Sequence, residues 1–504
     1  MRDAMRARIV LNLLFLAFLT LSCQQSSTPP AAPELNQPPD APQALRPISG
    51  ADPVSINTRL AWTGSDPGGE TLIYDLYFGA GDNPTLACSA LSATEYDPGP
   101  LAQNTTYRWR VTARDPLGQT TTGPLWSFTT GEPTVLINGP AMGTWDFDHS
   151  PYLVQGDLLV PAGETLTLEA GVEVIFQGWH SLTMMGSLQA LGQVGDSVTF
   201  TAADQAAGWE GLRFISGSSR LNYGIVEYGR GEPWSYYGTG GGGVYCGYGA
   251  SVTLEHCSIR YNTAVTGGGV HALVGEAVLR YCEIRDNRAE GYSSFYLEAI
   301  GGGALGGHLY DCVIKNNTTD YGGGLAGGVA ERCLITANQA EQGGGVGAYS
   351  FDSSVLRLDG CTISRNQAAI GGGLYGCLPM RNCIVEGNQG GGLFYSYDDM
   401  TDPEEPEWNP VIRHCDFASN EGYDISAHWP SVLPWGLGAI EYENTNGTAC
   451  DVYGNLFLNP LFVNPEAGDF HLQEWSFCID AGDPDGPLDP DWTPADMGAF
   501  YYPQ

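Results

Sequence analysis

One motif recurs seven times between Cys257 and Asn420: a cysteine, an apolar residue two places on, and an asparagine three further. The copies are Cys257-Ile259-Asn262, Cys282-Ile284-Asn287, Cys312-Ile314-Asn317, Cys333-Ile335-Asn338, Cys361-Ile363-Asn366, Cys383-Val385-Asn388 and Cys415-Phe417-Asn420. Glycine triplets follow most of them, at 267–269, 301–303, 322–324, 343–345, 371–373 and 390–392, and a run of four at 240–243 precedes the first. Self-similarity at 21 to 32 residues denotes stacked units, none of which buries a core alone.

Inside each copy the polarity alternates with period two, as in Cys257-Ser258-Ile259-Arg260. That is strand periodicity, with apolar residues two apart on one face. Glycine triplets, β-branched residues and asparagines interrupt every window long enough for a helix. One strand per repeat, always in the same register, predicts a solenoid in which each coil lies over its predecessor about 4.8 Å away. The cysteines then form an inward column of small apolar groups. The asparagines end their strands where the chain turns into left-handed backbone, and their stacked side chains bond to one another. The glycine runs make an edge that other backbone can approach closely.

Gly-Gly-Gly-(Val/Leu/Ala) alternating with Ile-x-x-Asn resembles bacterial right-handed parallel β-helix proteins and the GGA(I/L)/FxxN repeats of polymorphic outer-membrane proteins, with Ile or Val usually in place of Phe. The resemblance spans residues 132 to 500. Leu158–Phe200 and Gly208-Trp209-Glu210-Gly211-Leu212 resemble first coils, and Asn459 through Asp483 to Phe500 resembles a closing segment. It implies an all-β chain with a right-handed parallel β-helix of about a dozen coils. Activity does not follow, because this scaffold hosts lyases, hydrolases, adhesins and inert surface proteins alike.

The remaining segments read differently. Residues 1–22 form a secretory signal: Arg2, Arg6 and Arg8 precede an apolar stretch from Ile9 to Leu21. Ser22 before Cys23 is similar to a lipoprotein cleavage box, implying acylation of Cys23, membrane attachment through that lipid, and an outer-membrane or cell-surface address. A proline-rich tether occupies 23–42. From 43 to 131, Leu60-Ala-Trp62, Leu72 to Phe78, Thr106 to Val111 and Leu125 to Phe128 are short strands with turn signals between them. This is a small β-sandwich that resembles a fibronectin type III module, with Trp62 in its core and Tyr107 at a tyrosine-corner position. The β-helix is expected over 132–480 and an acidic cap of the last coil over 481–504.

With 57 acids, 21 bases and a net charge of −36, nucleic acid is excluded as a partner. Of the thirteen cysteines, Cys88 stands alone in its module, and Cys450 with Cys478 is the best candidate bridge. Asp483, Asp485, Asp489, Asp491 and Asp496 are the candidate calcium ligands, acids spaced around a glycine though unlike an EF-hand loop. Insertions beside the glycine runs carry Trp234, Tyr236 and Tyr237; Tyr292, Phe295 and Tyr296; Phe351; and Tyr395, Tyr397, Asp398, Asp399 and Trp408. Aromatic and acidic walls over a backbone floor suit a glycan, whereas the plainer reading is aromatics packed on the solenoid's shoulders. No catalytic residues are assigned. A hydrolase needs two carboxylates flanking the bond, and Asp398 and Asp399 are adjacent. The Asn-x-Asp, Gly-His-Gly and Arg-x-Lys signatures of β-helix polygalacturonases are missing. Arg260, Arg285 and Arg365 recur outward without a matching acid cluster, as a lyase would require. The expectation is a non-catalytic surface protein that binds glycan or another cell-surface partner; a lyase or hydrolase and an architectural envelope component are the rivals.

Overall fold

The computed structural model describes residues 36–504 except 57, 132–133, 137, 232–239, 274, 292–298, 349–355, 377–378, 397–411 and 429–432. The chain divides into two compact units.

The larger unit is a right-handed parallel β-helix. Its coils lay down three parallel sheets, of 12, 12 and 11 strands. Each repeat contributes one strand to each, in fixed order. For one coil these are Val270–Ala272 after the glycines, Glu276–Arg280, and Glu283–Arg285 carrying the isoleucine. We call the three sheets the glycine face, the middle face and the isoleucine face. The isoleucines pair in register, Ile259 with Ile284 and Ile284 with Ile314. The predicted solenoid is therefore observed, and the seven cysteines are buried in its single long core with Ile259, Ile284, Ile314, Ile335, Ile363, Val385 and Phe417.

The asparagines form a continuous hydrogen-bonded file. Asn262 Nδ2 donates to Asn287 Oδ1 (3.0 Å), Asn287 to Asn317 (3.1 Å), Asn317 to Asn338 (2.9 Å), Asn338 to Asn366 (3.0 Å), Asn366 to Asn388 (3.1 Å) and Asn388 to Asn420 (2.9 Å). Each Oδ1 also accepts the backbone N–H of the preceding asparagine, as Asn338 does from Asn317 (2.9 Å). The second Nδ2 proton reaches a strand carbonyl, as from Asn338 to Ile314 (2.9 Å). These buried amides thus replace sheet bonding where the strand ends. One expectation needs correcting. The left-handed residue is not the asparagine but its predecessor: Tyr261, Asp286, Asn316, Ala337, Arg365, Gly387 and Ser419 all have φ between 54° and 64°. A second left-handed corner precedes each cysteine, at His256, Tyr281, Asp311, Arg332, Gly360, Asn382 and His414, and Tyr223 holds the same place before Gly224 one coil earlier. Each isoleucine strand is short because a reversed corner bounds it at both ends.

The glycine triplets serve close stacking between coils. A Cβ on Gly344 would stand 2.5 Å from the carbonyl oxygens of both Gln367 and Gly372, and one on Gly303 would stand 2.5 Å from that of Gly324. The glycines are buried, so the run is an internal seam.

The last segment does not cap the final coil. It folds back along the outside of the isoleucine face, where Leu456, Phe462, Phe470, Leu472, Cys478 and Met497 bury Leu334 and Ile384. Backbone donors fix it laterally: Asp483 N to Asn382 Oδ1 (2.7 Å), Gly498 N to Asn382 O (2.7 Å) and Ala499 N to Thr362 Oγ1 (3.0 Å). Its outward-facing partners in this region are Leu334, Thr362, Ile384 and Asp416, at the register positions that Ser258 and Glu283 hold on earlier coils.

The smaller unit is an antiparallel module of two sheets. Leu60–Thr63 pairs with Gln43–Arg46 and Glu95–Tyr96; Thr106–Arg114 pairs with Ile73–Gly79, Trp126–Thr130 and Thr120–Thr122. Trp62 is buried with Tyr74, Leu76, Trp109, Val111 and Phe128. Tyr107 lies stacked on Phe78 (5.1 Å between ring centres) and Phe128 (5.7 Å).

Candidate functional site

Ten of the eleven candidate glycan-binding side chains, Trp234, Tyr236, Tyr237, Tyr292, Phe295, Tyr296, Tyr397, Asp398, Asp399 and Trp408, lie outside the described residues, as do Cys23 and Phe351. The eleventh, Tyr395, ends Leu393–Tyr395 with its side chain inward and is 1% exposed. It is core, because its place in the strand matches that of the inward Cys246 and Ala272 on earlier coils, and it offers no ring to a ligand.

The glycine-side floor is no open trough among the described residues. The outward row there runs Arg213, Tyr245, His271, Leu305, Ala326, Gly347, Tyr375 and Phe394. Arg213, His271, Leu305 and Ala326 are buried. Arg213 donates to the carbonyls of Gly240 (2.7 Å) and Gly241 (2.8 Å), His271 Nδ1 lies 3.0 Å from Thr266 Oγ1, and Leu305 packs with Ile300, Tyr321 and Ala326. Burial pushes the His271 imidazole down to about 4. These described residues pack as a shoulder.

The five acids proposed for calcium do not converge. Asp483 faces Arg413 (3.0 Å) and Arg381 (3.6 Å), with His414 at 3.9 Å. Asp489 accepts the Asp496 N–H (2.8 Å), Asp491 holds Thr493 Oγ1 (2.8 Å), and Asp496 accepts the Asp480 N–H (2.8 Å). Asp485 gives its N–H to Asp483 (3.1 Å) and is exposed. Asp489, Asp491 and Asp496 are each engaged in hydrogen bonds that close turns, and Asp483 faces arginines. Cys450 and Cys478 share one apolar cluster but are both free thiols, so the expected bridge is absent.

An unforeseen surface lies on the isoleucine face at the coils the closing segment leaves uncovered. Two aromatic rails border it, set by the two left-handed corners. Tyr223 stacks on His256 (4.7 Å, 7°) and His256 on Tyr281 (5.0 Å, 13°). On the opposite border Tyr228 stacks on Tyr261 (5.5 Å, 12°). Parallel in-register coils bring equivalent corners close enough for such ring stacking. Tyr261 is 42% exposed and Tyr281 57%, and the next corner after Tyr281 is the small Asp311. Among the described residues, Tyr281 stacks on the ring of His256 alone.

Between the rails runs a ladder of ion pairs: Arg260 to Glu227 (2.7 Å), Arg285 to Glu283 (2.9 Å) and Asp286 (2.5 Å), and Lys315 to Glu283 (2.6 Å). Arg260–Glu227 and Lys315–Glu283 join neighbouring coils, whereas Arg285 takes Glu283 and Asp286 from its own. Burial works against the charge of Arg285, but hydrogen bonds to Tyr261, Asp286 and Glu283 outweigh it and raise its pKa. Burial likewise raises Glu283, and bonds from Lys315 and Arg285 more than reverse the effect. Three cations offset three anions, leaving a neutral, polar strip within a chain of net charge −36. The signal was present in the sequence as the residue before each cysteine and each asparagine.

On an early coil of the isoleucine face, burial and then the nearby charge of Glu227 raise the pKa of Glu173; the other carboxyl groups with raised pKa lie elsewhere. Burial lifts Asp416 to about 7 and Asp496 to about 6, and also raises Glu386 and Asp489. Asp416 lies beneath the closing segment, with Cys478 Sγ 3.5 Å away, and Asp489 and Asp496 belong to that segment. For Asp416, Asp489 and Asp496 such shifts mark packing at the closing segment.

The family model described as "Right handed beta helix region" matches residues 298–457. No curated protein matches the chain. Among solved structures, the Family 28 exopolygalacturonase of Yersinia enterocolitica is similar over 77% of this chain and 99% of its own, at 8% identity and a TM-score of 0.17. A likeness at that level carries no argument about activity.

Proposed function

We propose that this chain is a non-catalytic glycan-binding β-helix, exported and held at a membrane surface by a lipid on Cys23. The observation that carries the binding reading is the exposed Tyr281 at the end of a ring stack, beside the ion-paired strip of Arg260, Arg285, Glu227 and Glu283. Sugars present apolar C–H faces to aromatic rings and hydroxyls to charged groups. A neutral strip supplies both donors and acceptors without attracting polyanions. The signal-like leader, Cys23 and the proline-rich tether support the export reading.

The test is a glycan array probed with the purified chain lacking residues 1–22, followed by titration of each hit against Tyr281→Ala and Tyr261→Ala. Binding that falls at least fivefold in both variants is expected, with no new chain ends from the bound polysaccharide. Depolymerisation lost on replacing Asp398 or Asp399 overturns the non-catalytic reading in favour of a lyase or hydrolase. Silence on the array, or binding indifferent to both tyrosines, overturns the site and leaves the architectural role.

A further inference from the structure

Three carboxylates of the smaller unit, from two loops, stand together. Asp66 and Glu70 lie between Leu60–Thr63 and Ile73–Gly79, and Asp115 lies in the turn between Thr106–Arg114 and Thr120–Thr122. One oxygen from each lies within 4.8 Å of the other two. Asp115 is 2% exposed and receives hydrogen bonds from Asn36 Nδ2 (2.7 Å) and Gln119 N (2.8 Å). Asp66 commits Oδ1 to Gly68 N (2.8 Å). Its Oδ2 and Glu70 Oε2 are both closed to solvent and have no hydrogen-bond partner.

A buried carboxylate oxygen without a donor is costly, and three like charges at this separation repel. The neighbouring Arg114 does not relieve them, since it is drawn to Asp75 (2.6 Å). The orphaned oxygens are independent of the clustering itself, and both belong to groups that gather around one point. Calcium takes six to eight oxygens at about 2.3–2.6 Å, so any two of its ligands stand at most about 5 Å apart. Loop-borne carboxylates suit its flexible shell better than the strict octahedron and tightly held waters of magnesium. We propose that Asp66, Glu70 and Asp115 form a calcium site that ties the two loops of the smaller unit together.

The full chain, stripped with EDTA, is titrated with terbium as a luminescent probe and then with calcium as competitor, alongside Glu70→Gln, Asp66→Asn and the remote Asp485→Asn. Calcium is expected to displace terbium, to raise the melting transition of the smaller unit by about 5 °C, and to bind at least tenfold more weakly to the first two variants, with Asp485→Asn unchanged. No displaceable terbium signal in the wild-type chain overturns the site. So does an equal response from all four proteins, which is what diffuse cation binding to a strongly acidic surface produces. Should Asp66→Asn or Glu70→Gln fail to fold, the wild-type titration decides alone.

Discussion

A buried asparagine in this β-helix makes bonds that no other side chain reproduces. Asn338 accepts the backbone N–H and Nδ2 of Asn317, each at 2.9 Å, and donates to Ile314 O (2.9 Å) and Asn366 Oδ1 (3.0 Å). Asn338→Ala therefore breaks four buried hydrogen bonds, those from Asn317 N and Nδ2 and those to Ile314 O and Asn366 Oδ1. Of these partners, Asn366 Oδ1 keeps the backbone N–H of residue 338. Each buried group left unpartnered costs about 1–3 kcal/mol, so a loss of about 3 kcal/mol or more is expected in denaturant unfolding. Loss of less than about 1 kcal/mol is inconsistent with the file being satisfied as described. The file was legible from the repeat alone, since equal residues at equal register must stack. The backbone sign at the corner was not. Asn is the common left-handed residue, yet here Tyr261, Ala337 and Arg365 adopt that conformation so that the asparagine points inward. Propensity yielded to the demand for an internal amide.

At the scale of elements, the closing segment was the least readable part. Its contacts join Asp483 to Asn382 and Ala499 to Thr362, spans of 101 and 137 residues with no period to betray them. The only trace is the change of outward residues from Ser258 and Glu283 to Val313, Leu334 and Ile384, which reads as a buried outer face once the fold is known. The docking carries a pH dependence. Asp416 is protonated in the folded chain up to about pH 7, whereas an unfolded aspartate loses its proton near 4. Between those values the folded state holds more protons, so stability falls as pH rises through the window and is level above it. Asp496, raised to about 6, adds the same sign over a narrower range. His271, lowered to about 4, acts oppositely: its contribution is lost as pH falls from about 6.5 to 4. Asp416→Asn keeps an acceptor for Leu458 N and removes the titration. Its stability relative to wild type is expected to rise by up to about 4 kcal/mol between pH 4 and 8. A pH-independent difference between the two proteins rules out the assignment.

For the whole molecule, the coils make one continuous core in which cysteine serves as a packing residue. Cys282 Sγ lies 3.4 Å from Leu254 O and 3.3 Å from Arg280 O, so each thiol answers to carbonyls of its own coil and the one before. All eleven described cysteines are free, and only Cys88, in the smaller unit, is not buried. Brief alkylation of the folded chain followed by peptide mass mapping is expected to modify Cys88 and spare the other ten, which react after denaturation. Modification of the column in the folded state contradicts a closed core. The long axis, the dozen coils and the inward thiols were all legible in the spacing. The ligand surface was not, because stacked Tyr223, His256 and Tyr281 are 33 and 25 residues apart and meet only when the coils close.

The amide file also has a direction. Every Nδ2 from Asn262 onward gives its proton toward the carboxyl-terminal neighbour, and the last, on Asn420, gives it to the carboxylate of Asp424 (2.9 Å). A chain wound from its amino end thus exposes at each step a donor that only the following turn can answer. Asp424 accepts the final hydrogen bond of the file, which makes it a terminus in the chemical as well as the spatial sense.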